Sequence, residues 1–306
     1  MQLYRWRGAE RNFGDELNAL LWPKLLPGFF DDDPAEQFLG IGSVLDARHE
    51  SGAVKLVAGA GYGGYEAPPT LDANWIIQWV RGPLTARRLG LPEVCGLGDP
   101  AMLLSVPCAG GRSIGFMPHF ESLEHGAWVE AAHAAGITLI DPRGDPSAIL
   151  ASIGACRVML SEAMHGVIVA DAMRVPWIAL RPLVSIHRAK WQDWAGALGL
   201  RLRFQLLAAS SLAERLHASP LAATRRGRHL LDLAHPMLQA AGRCRFIEQA
   251  ARSLTAAAAF APQLSAAAAL DRCRTRMLER LDALRRDPWR QGAKVPSSLH
   301  RRRNSA

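Results

Sequence analysis

The chain has 306 residues, 49% of them hydrophobic, with a net charge of +8; that is globular composition with material for more than one core, and no run of about 18 uninterrupted apolar residues offers a membrane span. Five cysteines, Cys95, Cys108, Cys156, Cys244 and Cys273, are odd in number, widely spaced and free of a CxxC pair, which argues against a disulfide framework or a zinc site; the opening MQLYRWRGAE lacks the apolar core of a signal peptide, so a soluble cytoplasmic protein is expected. The charge is uneven: residues 1–199 carry 16 basic and 21 acidic side chains, residues 200–306 carry 20 and 7.

In chain order, Gln2 to Arg7 alternates as a strand does and runs into a polar loop through Asn12-Phe13-Gly14-Asp15. Leu17, Leu20, Leu21 and Leu25 then recur at helical spacing, with Asn12 or Asp15 available as a cap. Phe38–Leu45 and Val54–Gly61 are apolar runs punctuated by glycine, the pattern of buried strands whose ends allow close approach of backbone to a ligand; neither completes a GxGxxG motif. Trp75–Val80 is a further strand, and Arg81-Gly82-Pro83 turns it into a helix. Ser105–Arg112 has no period and is the expected linker.

The alternation then restarts: a strand over Ser113–Met117, the loop Pro118-His119-Phe120-Glu121, a helix from about Leu123 to Ala135, a strand over Ile137–Ile140, and a short helix capped by Asp145. Cys156–Leu160, a helix carrying Val167, Ile168, Ala170 and Ala172, and Pro176–Leu180 form a strand, helix, strand unit. It places Ser161, Glu162, His165 and Gly166 where a buried parallel strand feeds a helix N-terminus, which favours anions. Such repeats predict an α/β protein with two Rossmann-like doubly wound domains, 1–106 and 112–205, and a cleft between them. A helical extension is expected over 206–287 and a disordered basic tail over 288–306. Leu270, Met277, Leu278, Leu281 and Leu284 make an apolar stripe expected to dock on the body, and His300-Arg301-Arg302-Arg303 is the candidate for weak contact with an anionic membrane surface. No nucleic-acid motif accompanies the basic residues.

Three segments in this order resemble the polysaccharide pyruvyl transferases: Asn12-Phe13-Gly14-Asp15; Val80-Arg81-Gly82-Pro83-Leu84-Thr85 with Gly98-Asp99-Pro100; and Pro118-His119 with Glu162-Ala163-Met164-His165-Gly166 and Val175-Pro176. The resemblance covers roughly residues 4–200. It implies a glycosyltransferase-B-like pair of domains and transfer of pyruvate, as a ketal, from phosphoenolpyruvate as donor substrate to a sugar of an exopolysaccharide or its lipid-linked precursor, with no cofactor. Many relatives carry arginine where this chain has Ala163, so Arg81, Arg188 or Lys190 would have to supply an anchoring charge.

Ketal formation requires a proton for the methylene carbon of an enol ether, a base for the attacking hydroxyl, and cations for a carboxylate and a phosphate. Histidine and arginine suit these tasks. The candidate catalytic residues are therefore His165, His119 and Arg81, and the candidate substrate-binding residues are Asn12, Gly14, Asp15, Glu162, Gly166, Arg188, Lys190 and Asp193. Each has a plainer alternative: His165 and Asn12 as helix caps, His119 as a solvated loop residue, Glu162 as a helix-dipole partner, Arg81 as the mate of a buried acid such as Asp99, and the His187–Trp194 group as the start of an amphipathic helix. Two other functions use the same architecture, a glycosyltransferase acting on a nucleotide sugar and a non-catalytic saccharide-binding protein.

Overall fold

The computed structural model describes residues 1–8, 10–104, 110–183 and 188–286. It is a mixed α/β molecule with two parallel sheets. The first joins β1 (Gln2–Leu3), β2 (Glu36–Leu39), β3 (Val54–Ala58) and β4 (Trp75–Trp79) in sequence order. The second joins β5 (Ser113–Met117), β6 (Thr138–Leu139), β7 (Cys156–Ser161), β8 (Trp177–Leu180) and β9 (Phe204–Gln205) in the order β6-β5-β7-β8-β9. Only the second order reverses direction, between β5 and β7; among the described residues the first sheet has no such switch.

The apolar runs of β3, β4 and β8 are largely buried on both faces, as parallel strands covered by helices require. Helix α1 (Phe13–Leu25) connects β1 to β2, and α2 (Pro83–Arg88) follows β4 with Pro83 in its first turn. In the second half, the single helix expected over 123–135 is broken into α3 (Phe120–His125) and α4 (Trp128–Ala134). Gly126 ends α3, and the Ala127 amide donates to Ser210 Oγ instead of continuing the ladder. α5 (Pro146–Gly154) is capped by Asp145, which accepts from the Ala148 amide. α6 (Met164–Ala172) lies between β7 and β8, and α7 (Ala189–Ala197) follows β8, so the polar stretch ending at Trp194 is largely helical. β9 is too short to show in the sequence.

Beyond it come α8 (Leu212–His217), α9 (Arg225–Ala240), α10 (Arg243–Ala258) and α11 (Ala267–Arg286). Leu270, Met277, Leu281 and Leu284 of α11 are buried, while Leu278 is 42% exposed. They join an apolar cluster with Leu97 and Met102 of the first half and Val167 and Trp177 of the second. The expected stripe therefore closes over both halves. The tail 288–306 and His187 lie outside the described residues. No described helix is long and apolar enough to cross a membrane.

Candidate active site

Parallel sheets leave loops and helix N-termini at the carboxyl ends of their strands, and the two sheets here turn those ends toward a shared cavity of about 310 Å³. The first half contributes Trp6, Asn12, Asp15, Ser43, Arg48 and Tyr65 to its walls; the second contributes Phe120, Glu121, His165 and Lys190. In the second sheet the cavity lies by the β5/β7 reversal, the place where open α/β sheets bind ligands.

His165 stands in the first turn of α6 and is gripped by the other half of the molecule. Its Nε2 lies 3.5 Å from Oδ2 of the fully buried Asp99. Asp99 is fixed in turn by the Ala101 amide, which donates to Oδ1 at 2.9 Å. On the opposite side of the ring is Gly14: a Cβ there would come within 1.9 Å of Nδ1. That contact explains glycine in the first turn of α1, since any larger residue would push the imidazole away. His165 lines the cavity beside these contacts.

Asp15 neighbours this ring. Burial pushes its carboxyl up, against the opposing pull of His165, the hydrogen bond from Asn12 Nδ2 to Oδ2 at 2.7 Å, and Lys190. Asn12 thus stands at the N-cap of α1, but its side chain orients Asp15 and makes no capping bond. Lys190, in the first turn of α7, is driven down to about 8, chiefly by burial and then by the nearby Arg81 cation, with Asp15 and Glu121 acting the other way. Arg48 is held by a bidentate pair with the buried Asp46, Nε to Oδ1 and Nη2 to Oδ2 both at 2.6 Å. Its position is thereby fixed at the cavity wall.

Other expected site residues stand behind the wall. Arg81 is completely buried and donates from Nε to Asp193 Oδ2 at 3.0 Å, from Nη1 to Ser43 Oγ at 2.7 Å and from Nη2 to the Tyr62 carbonyl at 2.9 Å. Asp193 also accepts from the Thr85 amide and hydroxyl. Arg81 and Asp193, expected on the substrate, instead pair with each other across the two halves, and the buried acid beside Arg81 is Asp193, not Asp99. Glycine at the end of the Val54–Gly61 run has the same cause, for a Cβ on Gly61 would meet the Arg81 guanidinium at 2.2 Å.

Glu162 is buried with Oε2 accepting from the His119 amide and Oε1 from the Leu183 amide, both at 3.0 Å; it ties together the loops after β5 and β8. His119 is buried, its Nδ1 3.5 Å from Glu121 Oε2, and the wall beside it is formed by Phe120 and Glu121. It is not a solvated loop residue. Gly166 serves packing, because a Cβ would strike Ser161 Oγ and Met117 Sδ. Arg188 donates to the Pro182 and Leu183 carbonyls and borders a different depression, with Arg181 and Phe204.

Sequence reasoning overlooked Trp6, Ser43, Arg48, Tyr65 and Glu121. The one local signal was Asp46-Ala47-Arg48 soon after a glycine-punctuated strand, an acid two residues from a base. Among the described residues no cluster of three or more histidine, cysteine, aspartate or glutamate side chains is placed to hold a metal ion.

The α/β fold thus brings fixed cations, a histidine beside a buried carboxylate, and aromatic walls to one cavity at its strand ends. Residues 79–182 match the family model described as polysaccharide pyruvyl transferase. Over 221 residues, 70% of this chain and 70% of the relative, the sequence is 41% identical to the succinoglycan biosynthesis protein ExoV of Rhizobium meliloti (strain 1021). The chain belongs to the polysaccharide pyruvyl transferase family, and is a pyruvyl transferase. No solved structure matches it.

Proposed function

We propose that this enzyme takes its pyruvyl group from phosphoenolpyruvate and closes it as a cyclic ketal over two hydroxyls of one sugar, in an exopolysaccharide or its lipid-linked precursor. The methylene carbon gains a proton, two sugar oxygens bond to the adjacent carbon, and phosphate leaves with the second proton. No redox or carrier cofactor is required, because the enol phosphate itself supplies the activated group. The observation that carries this reading is the convergence of Arg48, Lys190 and His165 with Asp15 on one cavity walled by Trp6, Tyr65 and Phe120.

In this reading Arg48 and Lys190 receive the carboxylate and phosphate. His165 moves the proton, its imidazolium stabilised by Asp99, whose Oδ2 lies 3.5 Å from Nε2. Asp15, with its carboxyl raised, is the base for the acceptor hydroxyl, and the Trp6 and Tyr65 rings offer flat apolar surface to the sugar. His119 acts through Glu162 and Glu121 on the shape of the wall, and Arg81 with Asp193 acts through Ser43.

The test is incubation of the purified chain with phosphoenolpyruvate and candidate oligosaccharides, free and lipid-linked. Phosphate release matched by a pyruvyl mass gain on the acceptor is expected. Thermal protection by uridine or guanosine diphosphate sugars, with none from phosphoenolpyruvate, would overturn the donor assignment.

A further inference from the structure

Helix α9 turns Gly227 and Leu231 into the body, with Ala234, His235 and Leu238 half-buried beside them. About a third of a turn round the cylinder runs a second apolar stripe. Leu230, Leu233 and Met237 follow at i, i+3 and i+7, and are 56%, 68% and 77% exposed. Burial explains the inward stripe and leaves the outward one without a role. The contrast with α11 is direct, since that basic, leucine-rich helix keeps most of its stripe under cover.

The segment that carries the stripe is predominantly basic. Between Ser219 and Arg245 there are five arginines, Arg225, Arg226, Arg228, Arg243 and Arg245, and a single acid, Asp232. Asp232 faces His217 at 3.3 Å, and Arg243 pairs with Glu130, while Arg225, Arg226 and Arg228 are exposed at the helix start. Arg226 lies on the same side of the helix as the stripe. A contact between two copies of the chain would bring these like charges together, whereas an apolar stripe bordered by cations is complementary to acyl chains beneath anionic phosphates.

We propose that this face of α9 docks the enzyme on an anionic lipid bilayer, Leu230, Leu233 and Met237 entering the acyl boundary with Arg226, and Arg225 beside it, at phosphate level. The inference does not depend on the identity of the pyruvyl donor.

The experiment is co-sedimentation of the full chain with vesicles of phosphatidylcholine alone or mixed with phosphatidylglycerol, at low and high salt. Wild type should bind the mixed vesicles and release as salt rises. Leu230→Gln/Leu233→Gln/Met237→Gln should lower the bound fraction roughly ten-fold, and Arg225→Gln/Arg226→Gln should lower it several-fold on anionic vesicles only. Both variants should keep the wild-type melting temperature and pyruvyl transfer to a soluble acceptor. Equal sedimentation of wild type and the apolar variant overturns the proposal. So does a wild type that ignores the vesicles, or an apolar variant that changes from dimer to monomer in sedimentation velocity while still binding them.

Discussion

His165 gathers three constraints: Asp99 on one nitrogen, Gly14 against the other, and the first turn of α6 at its backbone. His165→Ala should lower turnover by roughly 10²–10⁴-fold, the range for a lost acid or base, with the melting temperature retained. Asp99→Asn should lower kcat and displace its pH profile while KM for phosphoenolpyruvate changes little; phosphate release measures both, and near wild-type turnover in His165→Ala removes it from the chemistry. Lys190 adds a dependence of its own. Its folded value of about 8 lies below the ordinary 10.5, so between these pH values the unfolded chain holds more protons and the burial penalty relaxes as pH rises. For a bound anion the sign reverses, because the attraction fades as the ammonium deprotonates. Calorimetry between about pH 7 and 9.5 should show phosphoenolpyruvate binding weaken through about 8 in wild type and stay weak and flat in Lys190→Met. Unchanged wild-type affinity across that range excludes Lys190 as an anchor.

At the scale of elements, the end of β4 and the helix α7 are joined by the Arg81–Asp193 pair, whose side chains are 1% and 3% exposed. A buried pair of this kind resists loss of one partner far more than loss of both. Arg81→Met leaves the Asp193 carboxylate buried without its cation and should cost about 3–5 kcal/mol in chemical denaturation, and Arg81→Met/Asp193→Leu should recover part of it. Arg81→Lys keeps the charge but cannot span Asp193, Ser43 Oγ and the Tyr62 carbonyl with one planar fork, so it should weaken donor use through the displaced Ser43. Wild-type stability in Arg81→Met would show that the pair is not a brace.

For the molecule as a whole, α11 is the closing element. Arg274 donates to the Met102 carbonyl at 2.6 Å and the Ala172 carbonyl at 2.8 Å, one in each half, and Arg276 and Arg285 reach the Val94 and Leu25 carbonyls. Part of the basic excess after residue 200 therefore satisfies backbone acceptors far away in sequence. Leu281, fully buried in the cluster shared by both halves, should cost about 2–5 kcal/mol as Leu281→Ala. The measurement is the melting temperature, with activity below it unchanged; a variant that melts normally would show that α11 is not part of the common core.

The sequence by itself determined the alternation of strand, loop and helix, because the buried strands are short apolar runs and the helices carry their own period and breakers. It also placed Gly14, Asp99 and His165 at element ends, where the resemblance to pyruvyl transferases already singled them out. The splitting of the helix at Gly126 was not legible, since the partner that takes the Ala127 amide is Ser210. Nor was the division of labour among the cations. Arg81, Arg188, Lys190 and Arg48 all follow strands in the text, yet only Lys190 and Arg48 face the cavity. Arg81 is claimed by Asp193 and Arg188 by two carbonyls. Local pattern specifies that a charge lies at a strand end; which charge is left for a ligand depends on partners brought in from other elements, and a buried guanidinium must take whatever acid the tertiary packing sets beside it, because desolvation without that partner costs more than the fold can spare.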